Sequence, residues 1–232
     1  MALIKYGGGI VQMSGSIAGN THARNRYGNY VRARTKPVNP NTAFQQAVRS
    51  TMAEMSDRWS NTLTPAQRAA WNLYGDSVNM SNRLGEVIHL SGYNHYIRSN
   101  HVASRFGGTF IDAGPVLFEL PAHDPAFAIT ISAAAQQVSV AYDSTMDWAD
   151  ENGAFLFIYG GKPQNGQRNF FAGPWRYMGG TGGVNGAPPA SPQLFAPPFV
   201  CSEGQHLWCY ARIFRADGRI STPFRDDVIV AA

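Results

Sequence analysis

Residues 206–214 read His-Leu-Trp-Cys-Tyr-Ala-Arg-Ile-Phe, and every second position from Leu207 to Ile213 is apolar or small. A period of two places alternate side chains on opposite faces of a β-strand, so this stretch predicts a strand with one buried face. Val138, Val140 and Tyr142 alternate in the same way within residues 137–142. Both stretches indicate antiparallel β-structure in the C-terminal half of the chain.

Further strand candidates flank these two and are separated by turn clusters such as 150–153 and 216–219. The additional candidates are Ala128–Ser132, Ala154–Tyr159, Trp175–Gly179 and Asp227–Val230. Several short strands at this spacing favour an immunoglobulin- or fibronectin-like β-sandwich over residues 127–232. The Gly- and Pro-rich stretch 179–199 is predicted to be an irregular loop.

Residues 39–106 instead predict a small helical domain. Asn39-Pro40-Asn41-Thr42 marks a helix start with Asn39 or Asn41 as the cap. An apolar stripe at helical spacing follows, formed by Phe44, Val48, Met52, Met55 and Trp59.

A second helix is predicted from the capping box Thr64-Pro65-Ala66-Gln67, with Gly75 as its end. The short link between the two helices favours an antiparallel hairpin. Ser91-Gly92-Tyr93 predicts a third helix, while residues 83–90 fit either a strand or a loop. Residues 107–126 carry three prolines and are predicted to be a linker, so the fold class is α+β.

Charge separates the start of the chain from the rest. Residues 1–53 carry a net charge of +7 with no Asp or Glu, and the remaining residues carry −3. Residues 1–38 have too few large apolar side chains for a core, which predicts an extended basic arm with a short strand in 27–35. The candidate partner-binding residues of this arm are Arg24, Arg26, Tyr27, Tyr30, Arg32, Arg34 and Lys36.

Three interpretations of the arm remain open from its residues. Arg and Tyr are enriched at protein–protein hot spots, which favours contact with a protein partner. Arginines also neutralise phosphates while tyrosines stack on bases, which fits a nucleic acid. The third interpretation is a solvated strand folded back on its own domain.

The sequence contains no motif of an enzyme. It lacks HExxH, CxxC and GxSxG, and the glycines of 179–186 are followed by two prolines, which prevents the helix that a phosphate loop needs. Acidic residues between positions 143 and 151 fit a solvated loop or a cation site; they are Asp143, Asp147, Asp150 and Glu151. We therefore expect a non-enzymatic protein with no catalytic residue, no metal and no cofactor.

Two smaller expectations concern compartment and cysteines. No apolar run reaches 18 residues, and the first residues lack a signal-peptide core, so we expect no membrane span and synthesis in the cytoplasm. Cys201 and Cys209 are expected to be free, packed thiols, although their spacing leaves a disulfide open.

Aromatic residues of the C-terminal domain raise a further hypothesis, in which the domain binds a carbohydrate or another surface. The residues concerned are Trp148, Trp175, Tyr177 and Trp208. The alternative is that most of them belong to the core, as tryptophans of β-sandwiches usually do.

Between residues 15 and 105 the sequence contains the segments Asn25-Arg26-Tyr27-Gly28-Asn29-Tyr30-Val31-Arg32, Lys36-Pro37-Val38-Asn39-Pro40-Asn41-Thr42, Gln45-Gln46-Ala47-Val48-Arg49, Leu63-Thr64-Pro65-Ala66-Gln67-Arg68-Ala69-Ala70-Trp71 and Leu90-Ser91-Gly92-Tyr93-Asn94-His95-Tyr96-Ile97-Arg98-Ser99-Asn100. Together they resemble a group of largely uncharacterised proteins of tailed bacteriophages and prophages. The C-terminal region is similar in general character to the Ig-like domains that phages append to virion proteins.

The resemblance implies a virion structural protein that assembles in the host cytoplasm. A head decoration or minor capsid protein is the first expectation, with the arm laid on neighbouring subunits and the Ig-like domain exposed. A tail or head–tail connector component is the second. The implied partners are other virion proteins, such as the major capsid protein or tail and connector subunits, and further copies of this chain in a homo-oligomer.

Overall fold

The computed structural model describes residues 2–105 and 109–232. Within them, three helices combine with several antiparallel sheets, so the predicted α+β class is confirmed. The predicted boundary between a helical domain ending at 106 and a linker beginning at 107 lies outside the described residues.

The N-terminal segment folds into a four-stranded antiparallel sheet made of β1 (Ala2–Leu3), β2 (Gly15–Ile17), β3 (Asn20–Asn25) and β4 (Gly28–Ala33). The order across this N-terminal sheet is β1-β4-β3-β2. The strand predicted in 27–35 is present as β4. The segment does not extend away from the chain as the predicted arm would. Two-residue turns at Ala18-Gly19 and Arg26-Tyr27 fold it back on itself, and its strands pair with one another.

The helical unit consists of α1 (Ala43–Asp57), a wider π-type turn (Arg58–Thr62), α2 (Pro65–Ser77), a hairpin of β5 (Met80–Ser81) and β6 (Val87–Ile88), and α3 (Gly92–Arg105). The third predicted helix is thus present, and the open stretch 83–90 contains β6. Its core is formed by Met55, Leu63, Trp71, Tyr74, Val78 and Tyr96.

The helix starts follow from hydrogen bonds to the first free N–H groups. Thr64 and Gln67 form the predicted capping box of α2. The cap of α1 is Thr42, also in a capping box with Gln45, and neither Asn39 nor Asn41 as predicted. The side chains of those two asparagines instead accept hydrogen bonds from the Arg49 guanidinium at 2.9 and 3.0 Å.

Gly75 lies inside α2 and does not end it, in contrast to the prediction. A Cβ at this position would lie 2.6 Å from the carbonyl oxygen of Leu90 and 2.8 Å from the nitrogen of Gly92. The glycine therefore allows the start of α3 to pack directly on the α2 backbone.

The C-terminal region contains two antiparallel sheets, whose strands are β7 (Ala128–Ser132), β8 (Gln137–Ala141), β9 (Phe155–Gly161), β10 (Gln164–Asn165), β11 (Trp175–Gly182), β12 (Gln193–Phe195), β13 (Gln205–Phe214) and β14 (Phe224–Ile229). All six predicted strands are present with small shifts of their ends. The predicted loop 179–199 is wrong at both ends, because β11 continues to Gly182 against β9 and β12 pairs with β8.

One sheet has the order β12-β8-β7, and the other places β9 between β11 and β13, with β14 on the far side of β13. The two sheets enclose one apolar core built from alternate residues of β7, β8, β9 and β13. Trp148 lies in this core, as do Cys201 and Cys209, which are both free thiols. Burial raises the pKa of the Cys209 thiol.

The helical unit packs on the outer face of the five-stranded sheet. Val102 and Ala103 of α3 contact a cluster that includes Phe157, Phe214 and Ile220. Part of the predicted linker packs against the helical unit, because the Trp71 indole donates to the carbonyl of Asp112 at 3.0 Å.

Candidate contact surface at the N-terminus

The seven predicted contact residues all belong to the N-terminal sheet or to the segment that follows it. Arg24 lies on β3, Arg26 and Tyr27 form the β3–β4 turn, Tyr30 and Arg32 lie on β4, and Arg34 and Lys36 follow β4. The turn is tight because Asn25 Oδ1 accepts a hydrogen bond from the Tyr27 N–H at 2.9 Å and Gly28 adopts a positive φ of 121°.

The strand register divides these residues between two faces. Tyr30 and Arg32 stand opposite Ala23 and Thr21, and directly opposite residues of an antiparallel pair share one face. Arg24 is paired with Asn29 and therefore lies on the other face. Tyr30 and Arg32 therefore share one face, and the basic side chains do not converge into one stripe.

The loop between β1 and β2 lies along the face that carries Arg24. The Arg24 guanidinium donates to Gln12 Oε1 at 3.1 Å, and Tyr6 Oη lies 3.0 Å from His22 Nδ1. The opposite face, with half-buried Tyr30 and exposed Arg32, has no such covering segment among the contacts of the described residues.

Two contacts attach the sheet to the helical unit. Lys5 forms an ion pair with Glu86 of the β5–β6 hairpin, and this contact lowers the pKa of the Glu86 carboxyl. The Tyr27 hydroxyl accepts a hydrogen bond from Asn94 Nδ2 on α3 at 3.0 Å. A groove lies between the sheet and the hairpin, lined by Leu3, Tyr27 and Asn82 among others. No local sequence pattern indicates the role of Lys5 or Asn94, since both contacts join residues far apart in the chain.

Lys5 is ion-paired with Glu86, but the other basic side chains of the N-terminal segment have no carboxylate partner among the described residues. In the described ranges, none of the five predicted cations makes an ion pair: Arg24, Arg26, Arg32, Arg34 and Lys36. The surface therefore keeps its positive charge available to a partner.

Burial gives the clearest property of this surface. No residue between 2 and 54 is buried, and the first buried side chain along the described chain is that of Met55. Large apolar side chains are instead exposed here, namely those of Ile10, Val11, Ile17, Val38, Phe44 and Met52. Both the N-terminal sheet and the first half of α1 thus expose apolar side chains and lack a buried core of their own among the described residues.

The acidic residues between 143 and 151, which the sequence offers as a possible cation site, bind partners within the protein. Glu151 and Asp147 both contact the guanidinium of Arg215, while Asp150 accepts a hydrogen bond from the Gly186 N–H at 2.5 Å. No group of three potential metal ligands occurs in the part of the chain that the structure describes. No described helix has the length and apolar character that crossing a membrane requires.

The aromatic residues considered for surface binding divide into two pairs. Trp148 and Trp208 are buried, as the core interpretation predicts. Trp175 is half-buried and Tyr177 is exposed. Both lie on the outer face of the five-stranded sheet, where Trp175 contacts the Tyr210 ring and Tyr177 contacts the Tyr159 ring. Only the second pair can contact a ligand.

Comparison with protein-family models, curated proteins and solved structures gave no match. Function is therefore inferred from the residues and from their geometry.

Proposed function

We propose that the chain is a non-enzymatic structural protein of a tailed-bacteriophage virion, and that its N-terminal sheet binds neighbouring virion subunits. The observation that carries this proposal is the lack of any buried residue between 2 and 54. A small sheet in water needs an apolar face packed against something to be stable. Here the exposed apolar side chains provide that face, and a partner subunit provides its cover.

A protein partner fits this surface better than a nucleic acid does. Transfer of the exposed Ile17 and Val11 side chains out of water lowers the free energy of a complex. A phosphate backbone does not offer an apolar surface that could cover them. The basic side chains also lie on both faces of the sheet. Nucleic-acid binding remains the second candidate function, favoured by the five cations without ion pairs in the described chain.

Within the virion we assign the chain to the head, as a decoration or minor capsid protein, with a tail or head–tail connector position as the alternative. The resemblance of residues 15–105 to phage proteins supports the virion, and the low content of charged residues, 15%, suits a chain with large contact surfaces.

We also propose the Ig/fibronectin type for the C-terminal sheets. The order β12-β8-β7 in one sheet and β11-β9-β13-β14 in the other supports this type. In such a domain strands A, B and E lie together in one sheet, opposite C′, C, F and G in the other, and the observed order is compatible with that arrangement. A domain of this kind stands apart from the N-terminal contact surface and is left exposed on the particle.

The test compares particles assembled with matched variants of the full chain. Val11 and Val200 have similar exposure, 85% and 82%, but only Val11 lies on the proposed contact surface. We expect Val11→Asp and Ile17→Asp to remove the protein from purified particles, while Val200→Asp leaves its copy number unchanged. Incorporation of the two N-terminal variants at full occupancy contradicts the proposal, as does a chain lacking residues 1–38 that still joins the particle.

The nucleic-acid alternative has a separate readout. Binding of the full chain to duplex DNA that weakens steeply with salt, and that is lost in Arg26→Ala and Arg32→Ala, favours it. Cryo-microscopy of the particle then distinguishes a head position from a tail or connector position.

A further inference from the structure

A row of aromatic and basic side chains crosses the outer face of the five-stranded sheet beyond the part that α3 covers. Tyr177 on β11 pairs with Tyr159 on β9, Tyr159 pairs with Tyr210 on β13, and Tyr210 pairs with Arg225 on β14. Directly opposite residues share a face, so these four side chains form one continuous row across four strands. We call it the tyrosine row.

The rings of the row are in contact and are reached by solvent. Tyr159 and Tyr210 stack with centroids 4.6 Å apart and planes within 10°, and Tyr177 lies 5.6 Å from Tyr159. Trp175 meets Tyr210 edge-on at 4.9 Å, and the Arg225 guanidinium lies 5.3 Å from the Trp175 ring centre. Tyr177 is 37% exposed and Arg225 is exposed, whereas the other three rings are half-buried.

The face around the row is positively charged. Neither Arg225 nor Arg212, on the same face of β13, makes an ion pair within residues 2–105 and 109–232. Arg98 lies near Arg212 but is not part of this exposed face: burial, together with the neighbouring Arg212, lowers the pKa of Arg98 to about 10. The nearby carboxylate of Asp227 is already bonded to His206 at 2.5 Å. An anionic ligand complements this surface.

We propose that the tyrosine row binds an acidic polysaccharide lying across the strands. Neighbouring strands are about 4.8 Å apart, which is close to the length of one pyranose unit, so consecutive sugars each meet one ring. Because Tyr159 and Tyr210 stack on each other, the C–H groups of the sugars pack against the solvent-facing edges of the rings and do not enter between them. Carboxylates of the sugars pair with Arg225 and Arg212, and guanidinium–carboxylate pairs are strong and directional.

Other polymers fit this row less well. An extended peptide advances about 3.3 Å per residue, which does not match the spacing of about 4.8 Å between rings on neighbouring strands. A nucleobase cannot enter between Tyr159 and Tyr210, because those rings already stack on each other. The inference concerns the C-terminal sheets alone and does not depend on the proposed role of the N-terminal sheet.

The experiment measures binding of the full chain by isothermal titration calorimetry to three probes: alginate oligomers, neutral cello-oligosaccharides of equal length, and oligothymidylate. Tyr177→Ala and Arg225→Gln alter the row at its accessible ends. Phe44→Ala and Arg34→Ala are the controls, because they remove an exposed ring and an exposed cation elsewhere. Thermal unfolding verifies that every variant is folded.

We expect alginate to bind, neutral oligomers to bind more weakly, and each row variant to weaken alginate binding by about tenfold or more. The two controls should bind alginate like the unaltered chain. Absence of alginate binding overturns the proposal, and so does equal loss in Arg34→Ala, which indicates unspecific charge attraction. Tighter binding of oligothymidylate, lost in the row variants, overturns it in favour of single-stranded nucleic acid. If the row only stabilises the sheet, Tyr177→Ala lowers the unfolding temperature and leaves binding unchanged.

Discussion

Arg98 of α3 donates a hydrogen bond to the main-chain carbonyl of Ile220 at 2.7 Å, although 122 residues separate them in the chain. A second hydrogen bond of the same guanidinium reaches the carbonyl of Ser221 at 2.8 Å. Ile220 and Ser221 are fully buried, so Arg98 satisfies two carbonyls that water does not reach. This side chain joins the helical unit to the C-terminal sheets.

Replacing Arg98 should therefore weaken the whole fold. In Arg98→Leu both carbonyls lose their partner, and we expect the free energy of unfolding to fall by roughly 2–4 kcal/mol, since each buried unsatisfied group costs about 1–3 kcal/mol. Urea unfolding measures the change. The exposed Arg34→Leu is the control and should stay within about 0.5 kcal/mol. A loss for Arg98→Leu as small as that of the control contradicts this role.

His95 should make the fold sensitive to mild acid. Burial and the neighbouring Arg98 lower the pKa of His95 from 6.5 to about 4, and neither ring nitrogen has a hydrogen-bond partner among the described residues. Above pH 6.5 the histidine is neutral in both states and the native fold has its full stability. Between pH 6.5 and 4, His95 is protonated in the unfolded chain but stays neutral in the native state. The free energy of unfolding therefore falls as the pH is lowered, by about 3 kcal/mol in total.

The measurement is urea unfolding between pH 7.5 and 4 for the unaltered chain, His95→Phe and, as the control, the exposed His89→Asn. We expect His95→Phe to flatten this part of the pH profile and His89→Asn to retain it. Identical slopes in all three chains would show that His95 is not responsible.

The helix–helix contact at Gly75 should tolerate no side chain. In Gly75→Ala the new methyl group lies 2.6 Å from the Leu90 carbonyl oxygen. That oxygen is a main-chain atom, so the clash cannot be relieved by a change of side-chain rotamer. We expect a loss of about 1–3 kcal/mol by overpacking, despite the better helix propensity of alanine. Gly7→Ala meets no atom within 4 Å and should be near neutral. Thermal unfolding of both variants decides the point, and a stabilised Gly75→Ala would refute the contact.

The capping box of α2 gives a smaller, local prediction. Thr64 Oγ1 accepts the N–H of Gln67, and the Gln67 side chain accepts the N–H of Thr64 at 2.8 Å. Thr64→Ala leaves an N–H group at the helix start unpaired, which should reduce the free energy of unfolding by about 1 kcal/mol. Thr62→Ala, two residues earlier and outside the box, serves as the control in chemical unfolding. Equal effects of the two substitutions would argue against a capping role.

The sequence predicted those parts of the fold that depend on local signals. Thr64 and Gln67 are three residues apart, and the alternation from Leu207 to Ile213 needs no distant information, so both elements were found. The cap of α1 differs from the prediction although Thr42 and Gln45 carry the same local signal, because Asn39 and Asn41, on either side of Pro40, mark a start three residues or one residue earlier. Gly75 was misread because its reason is the distant backbone of Leu90.

The amino-acid composition predicts the charge of the candidate contact surface, but the sequence does not predict that the segment folds into a sheet. The charge of residues 1–53 and the weak apolar content of the segment are visible in the sequence. The sheet is not, because its turn at Ala18-Gly19 uses a non-glycine residue at a positive φ of 49° and its strands lack strict alternation. The tyrosine row depends on the register of four strands, which joins Tyr159 to Tyr210 across 51 residues. No local pattern encodes such a pairing.

Because none of the described residues between 2 and 54 is buried, this segment leaves the ribosome before the described core residues that follow it in the chain. The nascent chain therefore presents Ile10, Val11 and Ile17 to the cell throughout translation. Their lack of acidic neighbours makes the emerging segment uniformly cationic, and like charges repel one another between nascent chains on the same messenger. The positive charge of this segment thus also disfavours association between unfinished chains.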